Sequence, residues 1–314
     1  MADLDAVIDA AMRALRDLSA DPINADLHVK VFYSIAPFPP EAKSRLLERW
    51  AGCFASGRSH SSVVDRLAEL FGGHAHRVAI LRLAARQMVE AGWTEEAVRA
   101  FHHSCAALGP AAFDASLLRD KFAALSDDYN ESYWSGETAR QFHGFLDDSI
   151  SFSPEWTALD AGCGTGLVGE WLAPRVTGLH GIDLSPDMLI RARAKDIYDS
   201  LAEGDITGEL EKPERRGAYH LVVCNWCLLY IPDLSGFFGA AAGALMPHGR
   251  LALTVYPCLD DADVMRKEAK TEFTHSRRYL RALADENGLR EERMEIRLLC
   301  AHPGIYAVFV NSAS

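Results

Sequence analysis

Leu159-Asp160-Ala161-Gly162-Cys163-Gly164-Thr165-Gly166 is the stretch on which the reading of this 314-residue chain turns. A strand is expected to end at Asp160 and a helix to begin near Leu167. Between them Gly162, Gly164 and Gly166 let the backbone turn tightly and let a ligand approach it closely. The helix that follows offers unpaired N–H groups at its start.

Outward from the loop, short apolar runs alternate with helical stretches: Thr157–Asp160, Gly178–Asp183, a run near Tyr198–Leu201, Leu221–Asn225, Leu251–Tyr256 and Ile305–Asn311. That alternation predicts an α/β domain with a mostly parallel sheet and helices on both faces. The second run ends in Asp183, twenty-one residues beyond Gly162, where a carboxylate can accept from both hydroxyls of a ribose. Leu184-Ser185-Pro186-Asp187-Met188-Leu189 then opens a helix, and Glu203-Gly204-Asp205-Ile206 supplies a further acid. A glycine loop alone is weak, because nucleotide dehydrogenases use a similar one. Gly164, Gly166 and Gly169 do fit the dehydrogenase frame, but that frame leaves Asp160 and Gly162 without a role.

Taken together, LDAGCGTG (159–166), GIDLSPDML (181–189), EGDI (203–206), VVCNWCLLYI (222–231) and LMPHGRLAL (245–253) resemble the class I, Rossmann-like S-adenosylmethionine-dependent methyltransferases. The resemblance covers about residues 120–312 and implies a mostly parallel seven-stranded sheet. It implies that Gly162, Cys163, Gly164 and Gly166 wrap the amino-acid part of S-adenosylmethionine, with Asp160 ordering the loop or reaching the amino group. Asp183 would hold the ribose, Leu184 and Met188 would lie against the adenine, Asp205 would accept from the adenine amino group, and Ile206 would donate its backbone N–H. A plain turn role for Asp205 is the bland alternative. Asn225 and Trp226, just past the fourth strand, are placed near the methionine moiety by the rule that ligands lie at the carboxyl ends of strands.

Phe122–Trp134 resembles the aromatic segment that closes over the cofactor in many small-molecule methyltransferases. Tyr129 and Tyr133 are four apart and share a face if helical. Tyr133 and Tyr230 are candidates to face the acceptor. His275 and Tyr129 are candidates to take its proton, against a structural role for the histidine near a helix start. Phe273–Leu280 is expected to open a helical stretch ending near Gly288, and resembles the FxHS…Y…GL stretch of predicted tetratricopeptide-linked methyltransferases of bacteria. Cys224 and Cys227 lack partners at metal-ligand spacing, so no metal is expected; Cys224 reads as a buried strand residue.

Residues 1–115 read as an all-helical domain in front of a methyltransferase domain at 116–314. Helical patterns fall at 2–18, 41–55, 61–72 and 77–91, and in a helix from Thr94 to about Leu108, with Val29–Tyr33 the only strand-like run. Within 78–110, Ala84, Gly92, Ala97, Phe101, Leu108 and Pro110 resemble one tetratricopeptide unit, where such arrays need about three. A net charge of −12 disfavours nucleic acid as a partner. No apolar run approaches a membrane span, and the N-terminus lacks a secretory pattern. Seven scattered cysteines read as reduced thiols, hence a cytoplasmic protein. The expected activity is methyl transfer to an oxygen or nitrogen of a small molecule or natural product. The alternatives are methylation of a protein or peptide recruited by the helical domain, which is also a candidate surface for homodimerisation, and a non-catalytic scaffold.

Overall fold

The computed structural model describes residues 133–267, 272–299 and 302–312, with isolated positions before Tyr133. Most of the expected N-terminal helices and the Val29–Tyr33 run lie outside the described residues. Of the 2–18 helix, Asp9, Met12 and Arg13 are described and are helical, as are Thr94, Glu95 and Val98. By its internal contacts the chain divides into two compact units, Met1–Ala97 with Leu298–Pro303, and Val98–Arg297 with Gly304–Ser314. The second unit carries the glycine loop at 162–166.

Among the described residues, ten strands form one mixed sheet: β1 Cys105–Ala107, β2 Thr157–Ala161, β3 Gly178–Asp183, β4 Ser200–Glu203, β5 Tyr219–Cys224, β6 Leu245–Cys258, β7 Val264–Lys267, β8 Phe273–Ser276, β9 Leu289–Leu299 and β10 His302–Asn311. Seven of them run in the spatial order β4-β3-β2-β5-β6-β10-β9, parallel from β4 to β6. The expected seven-stranded sheet is therefore present but not complete in itself. β6 is fourteen residues long. Arg250–Val255 pairs antiparallel with β10, and where that pairing stops Tyr256–Cys258 pairs parallel with β8, which carries β7 and β1.

Two expectations fail here for one reason. Cys105–Ala107 is strand, not the end of a helix, because its backbone pairs with Met265–Lys267. Phe273–Ser276 is strand, not the opening of a helix, because the overhanging end of β6 offers it a ladder. In both places tertiary hydrogen bonding overrides local propensity. The third parallel strand also begins later than expected, at Ser200, leaving Tyr198 free to point elsewhere.

Six described helices cover the sheet: α1 Tyr133–Ser149, α2 Leu167–Leu172, α3 Pro186–Arg193, α4 Ile206–Leu210, α5 Ser235–Ala244 and α6 Arg277–Glu286. Successive strand residues serve opposite faces, as the pleat requires. Val222, Leu251 and Phe309 pack with Leu210, Phe237, Phe238 and Leu280 of α4, α5 and α6. Leu221, Val223 and Tyr306 pack with Phe142, Phe145 and Leu172 of α1 and α2. Burial on both faces explains why these strands read as continuous apolar runs. Each fully buried side chain of this size is worth about 1.5–3 kcal/mol. α1 has no basic residue in its last turn. Instead β9 sends Arg293 to the Asp148 carbonyl at 2.8 Å and Arg297 to the Asp148 carboxylate at 2.9 Å, placing cations at the negative end of the helix dipole.

Phe145 is fully buried between α1 and the ring of Tyr306, with ring centres 5.6 Å apart. Phe145→Ala is expected to lower unfolding free energy by about 3–5 kcal/mol, read as the urea midpoint of the full chain.

Candidate active site

The glycine loop is shaped by where its amides go. Gly162 N–H and Cys163 N–H both donate to the Ile182 carbonyl, at 2.8 and 2.9 Å. Gly164 N–H donates to Asp183 Oδ2 at 2.7 Å, while Ser185 N–H donates to Asp183 Oδ1 at 2.8 Å. One carboxylate at the end of β3 thus fastens both the loop after β2 and the start of α3. Burial raises the Asp183 carboxyl above its ordinary range, and these amides oppose the rise. Each oxygen retains a lone pair for a ligand hydroxyl.

Gly162 and Gly164 need to be glycine for different reasons. A Cβ on Gly162 would sit 2.6 Å from the Cys227 sulfur, so the loop after β5 packs directly on its backbone. Gly164 has φ +54° and nothing within 4 Å of where a Cβ would lie, which leaves its face open to the cavity. Gly166, at φ +86°, is the N-cap of α2. Thr165, almost wholly buried, donates its hydroxyl to Asn130 Oδ1 and ties the segment before α1 to the loop.

Asp160 is 1% exposed and accepts from the Tyr198 hydroxyl at 2.8 Å. Burial drives its pKa up to about 7, opposed by the Tyr198 bond and reinforced by Asp183. It does not line the cavity. Tyr198 reaches it only because residue 169 lacks a side chain: a Cβ there would lie 2.0 Å from the tyrosine oxygen. That packing gives Gly169 a structural reason independent of the dehydrogenase frame.

A cavity of about 660 Å³, counting its open mouth, runs along the carboxyl ends of the strands. Following the sheet order, its wall passes from Asp205 and Ile206 after β4, to Asp183, Leu184 and Met188 after β3, to Gly162 and Gly164 after β2, then to Asn225, Trp226 and Cys227 after β5. Tyr230, Ile231, Leu118 and Phe122 complete it. Asp205 Oδ1 caps α4 through Thr207 N–H and Gly208 N–H, each at 3.0 Å. The turn role is therefore real, and it leaves Oδ2 for the cavity. Cys163 is buried, with its thiol pKa pushed well up by desolvation.

The corner after β5 is organised by Thr254 of β6. Its hydroxyl accepts from Trp226 N–H at 2.6 Å and donates to Asn225 Oδ1 at 3.1 Å, which holds Trp226 at φ +52° and turns the Asn225 amide nitrogen away from Thr254. A threonine inside the apolar run LALTVY was the available signal. Cys224 is fully buried in β5, as its strand position implied. Among the described residues no group of His, Cys, Asp or Glu could hold a metal ion.

His275 is brought near the site but not into it. It lies in β8, fully buried, outside the cavity wall, with Nε2 3.0 Å from the Ile231 carbonyl. A carbonyl only accepts, so the proton sits on Nε2 and the ring braces the loop that carries Ile231. Burial lowers its pKa to about 4, which makes it a poor proton acceptor from a cavity ligand. Tyr279, two-faced in the same way, accepts from Leu234 N–H at 3.0 Å and donates to Asp233 Oδ1 at 3.1 Å. Ser276 caps α6 through Tyr279 N–H. The FxHS…Y stretch is thus a clamp on residues 231–235. Tyr129 lies outside the described residues. Tyr133 opens α1, and its side chain is likewise outside them.

With this geometry in view, residues 159–253 match the family described as methyltransferase domain. Over those residues the match supports a methyltransferase domain that uses S-adenosylmethionine. Among its relatives, the ubiquinone biosynthesis O-methyltransferase of Marinobacter nauticus is 30% identical over 111 residues, 34% of this chain and 46% of that one. Its counterpart in Xanthomonas oryzae is 28% identical over 140 residues, 43% and 59% of the two chains. The chain therefore spans about half the length of the curated relatives it matches. The fold is shared with 1,6-didemethyltoxoflavin-N1-methyltransferase of Burkholderia thailandensis (TM-score 0.54, 16% identity, 67% of this chain and 94% of that one). It is also shared with magnesium protoporphyrin IX methyltransferase of Synechocystis, solved with S-adenosylmethionine bound (TM-score 0.50, 20% identity, 65% and 100%). No described helix is long and apolar enough to cross a membrane.

Two measurements check this packing. Gly169→Ala should destabilise the domain by about 1–3 kcal/mol by overpacking, and the loss should vanish in a Tyr198→Ala background, giving a non-additive double-mutant cycle. His275 should keep the NMR signature of a neutral ring as pH falls until about 4. Its folded pKa lies below the unfolded value of 6.5, so its contribution to stability is whole above 6.5 and is lost as pH falls toward 4. Asp160, raised from 3.8 to about 7, works in the opposite sense over the overlapping window. The urea midpoint of His275→Asn should accordingly fall less steeply on acidification than that of the unsubstituted chain. A His275 signal titrating near neutrality would restore it as a candidate base.

Proposed function

We propose that this chain transfers a methyl group from S-adenosylmethionine to an oxygen or nitrogen of a small molecule. The observation that carries the reading is the continuous cavity along β4, β3, β2 and β5, in which the open face of Gly164 lies beside the fixed Asp183 carboxylate. When bound, the cofactor supplies a methyl already activated on a sulfonium, so the chain's own task is alignment and exclusion of water.

The residues present fit that cofactor. Asp183 would accept from the ribose, Leu184, Met188 and Ile206 would flank the adenine, Asp205 would accept from its amino group, and Gly162 and Gly164 would receive the amino-acid part. Asn225 and Trp226 would border the methionine end. Asp160 acts from behind the loop, through Tyr198, and not on the ligand. An oxygen acceptor accords with the curated O-methyltransferase relatives, and a nitrogen acceptor with the toxoflavin enzyme that shares the fold.

Titration calorimetry of S-adenosylmethionine against the full chain tests this. The unsubstituted protein should bind it, and Asp183→Ala should weaken binding by about a hundredfold, the scale of losing two hydrogen bonds to a charged group. A folded chain with no binding would overturn the assignment. Binding justifies screening acceptors by mass spectrometry for a gain of one methyl.

A further inference from the structure

The glycine loop spends its own amides inside the protein. Gly162 and Cys163 donate to the Ile182 carbonyl, Gly164 to Asp183, and Gly166 to the Cys163 carbonyl at 2.9 Å. Thr165 is almost wholly buried and lies outside the cavity wall. The helix behind gives no substitute. α2 is six residues long, neither Leu167 nor Val168 lines the cavity, and the Gly169 N–H goes to the buried Asp160. What the loop can offer a ligand is carbonyl oxygen, which suits the ammonium group of an amino acid and repels its carboxylate. Among the described residues, no lysine or arginine lines the cavity either. A donor for that carboxylate has to come from the neighbouring strand, β5.

Asn225, which follows β5, is such a donor, and Thr254 decides which way it points. An N–H can only donate, so Thr254 Oγ1 accepts from Trp226 and its own hydroxyl proton must go elsewhere. Thr254 is fully buried, and Asn225 Oδ1 takes that proton at 3.1 Å. Turning the amide over would set a donor against the hydroxyl and strand its proton away from water. Asn225 Nδ2 is thereby left for the cavity, with no partner among the described residues and not sealed from solvent. β2 and β5 pair at Asp160 and Val223, so Gly162 and Asn225 each lie two residues past the same rung. We propose that Asn225, held by Thr254, donates from Nδ2 to the carboxylate in the amino-acid part of S-adenosylmethionine. The inference rests on the methyltransferase reading and deepens it at the methionine end. Asn225 is the residue that touches the cofactor, and Thr254 is a positioning residue that acts through it. A neutral donor binds the carboxylate without setting a full positive charge near the sulfonium.

The test titrates the full chain calorimetrically with three thioethers. They are S-adenosylhomocysteine, its decarboxylated form S-adenosyl-3-thiopropylamine, and 5′-methylthioadenosine, which lacks the amino-acid part. Losing the carboxylate should weaken binding to the unsubstituted protein by about tenfold or more, the scale of a hydrogen bond to a charged group. Asn225→Ala should remove that preference. Thr254→Val should erase most of it, and Thr254→Ser, which keeps the hydroxyl, should retain it. 5′-Methylthioadenosine should bind every one of these proteins equally, whereas a merely structural role for Thr254 would weaken all three ligands in step. A preference that survives Asn225→Ala overturns the assignment. Where Asn225→Ala fails to fold, the contrast between Thr254→Val and Thr254→Ser carries the test, and equal preferences in those two overturn it. Absence of any preference in an unsubstituted chain that binds S-adenosylhomocysteine also overturns it, and the methyltransferase reading then stands. A folded unsubstituted chain that binds none of the three ligands overturns that reading and this inference with it.

Discussion

The Asp183 carboxylate fastens two segments that the chain order keeps apart. By accepting from Gly164 N–H and Ser185 N–H it joins the turn after one strand to the helix start after the next. Remove that charge and the Gly164 and Ser185 amides lose their acceptor, leaving the loop held only by the Ile182 carbonyl, which accepts from Gly162 and Cys163. The left-handed glycines, the packing of Cys227 on Gly162 and the open face of Gly164 all presuppose this bond pair. A carboxylate kept half-desolvated by its surroundings is costly by itself. Here the amides make it tolerable.

Behind this frame stands a second acid with the opposite duty. Asp160 is withdrawn from the cavity, bonded to Tyr198, and titrates near neutrality instead of far below it. The two aspartates sit at the ends of neighbouring strands, yet one is presented and the other hidden. What separates them is the space left by Gly169, which admits the tyrosine. A carboxylate so placed stiffens the loop from beneath without competing for the ligand.

Much of this was legible in the residues, and the limits of legibility are physical. The parallel strands could be read because burial on both faces forces continuous apolar runs. The glycine loop and Asp183 could be read because their spacing is set by one turn and one strand. Asp205, weighed as an adenine acceptor against a turn residue, caps a helix and also lines the cavity. The readings that failed, at Cys105–Ala107 and Phe273–Ser276, concern segments whose structure is decided by a strand end far away in sequence. His275 shows the same limit for function: its chemistry depends on burial, which no neighbour in sequence announces. Tyr198 was invisible for that reason too, since it bonds to Asp160 across 38 residues.

The overhang of β6 divides labour within the sheet. Up to Val255 the strand belongs to the seven-stranded layer that carries the glycine loop and Asp183. Beyond it, the same strand starts a separate ladder, β8-β7-β1, whose first rung supplies the brace on Ile231. The two ends of one cavity are therefore anchored to different ladders that share a single strand. Such an arrangement lets selection alter the wall at Ile231 by changing the outer ladder, its connecting loops or the residues it braces, while the layer that carries the glycine loop keeps its register. The junction at Val255–Tyr256 is the hinge of that evolutionary freedom: a change there is felt at both ends, and a change on either side of it at only one.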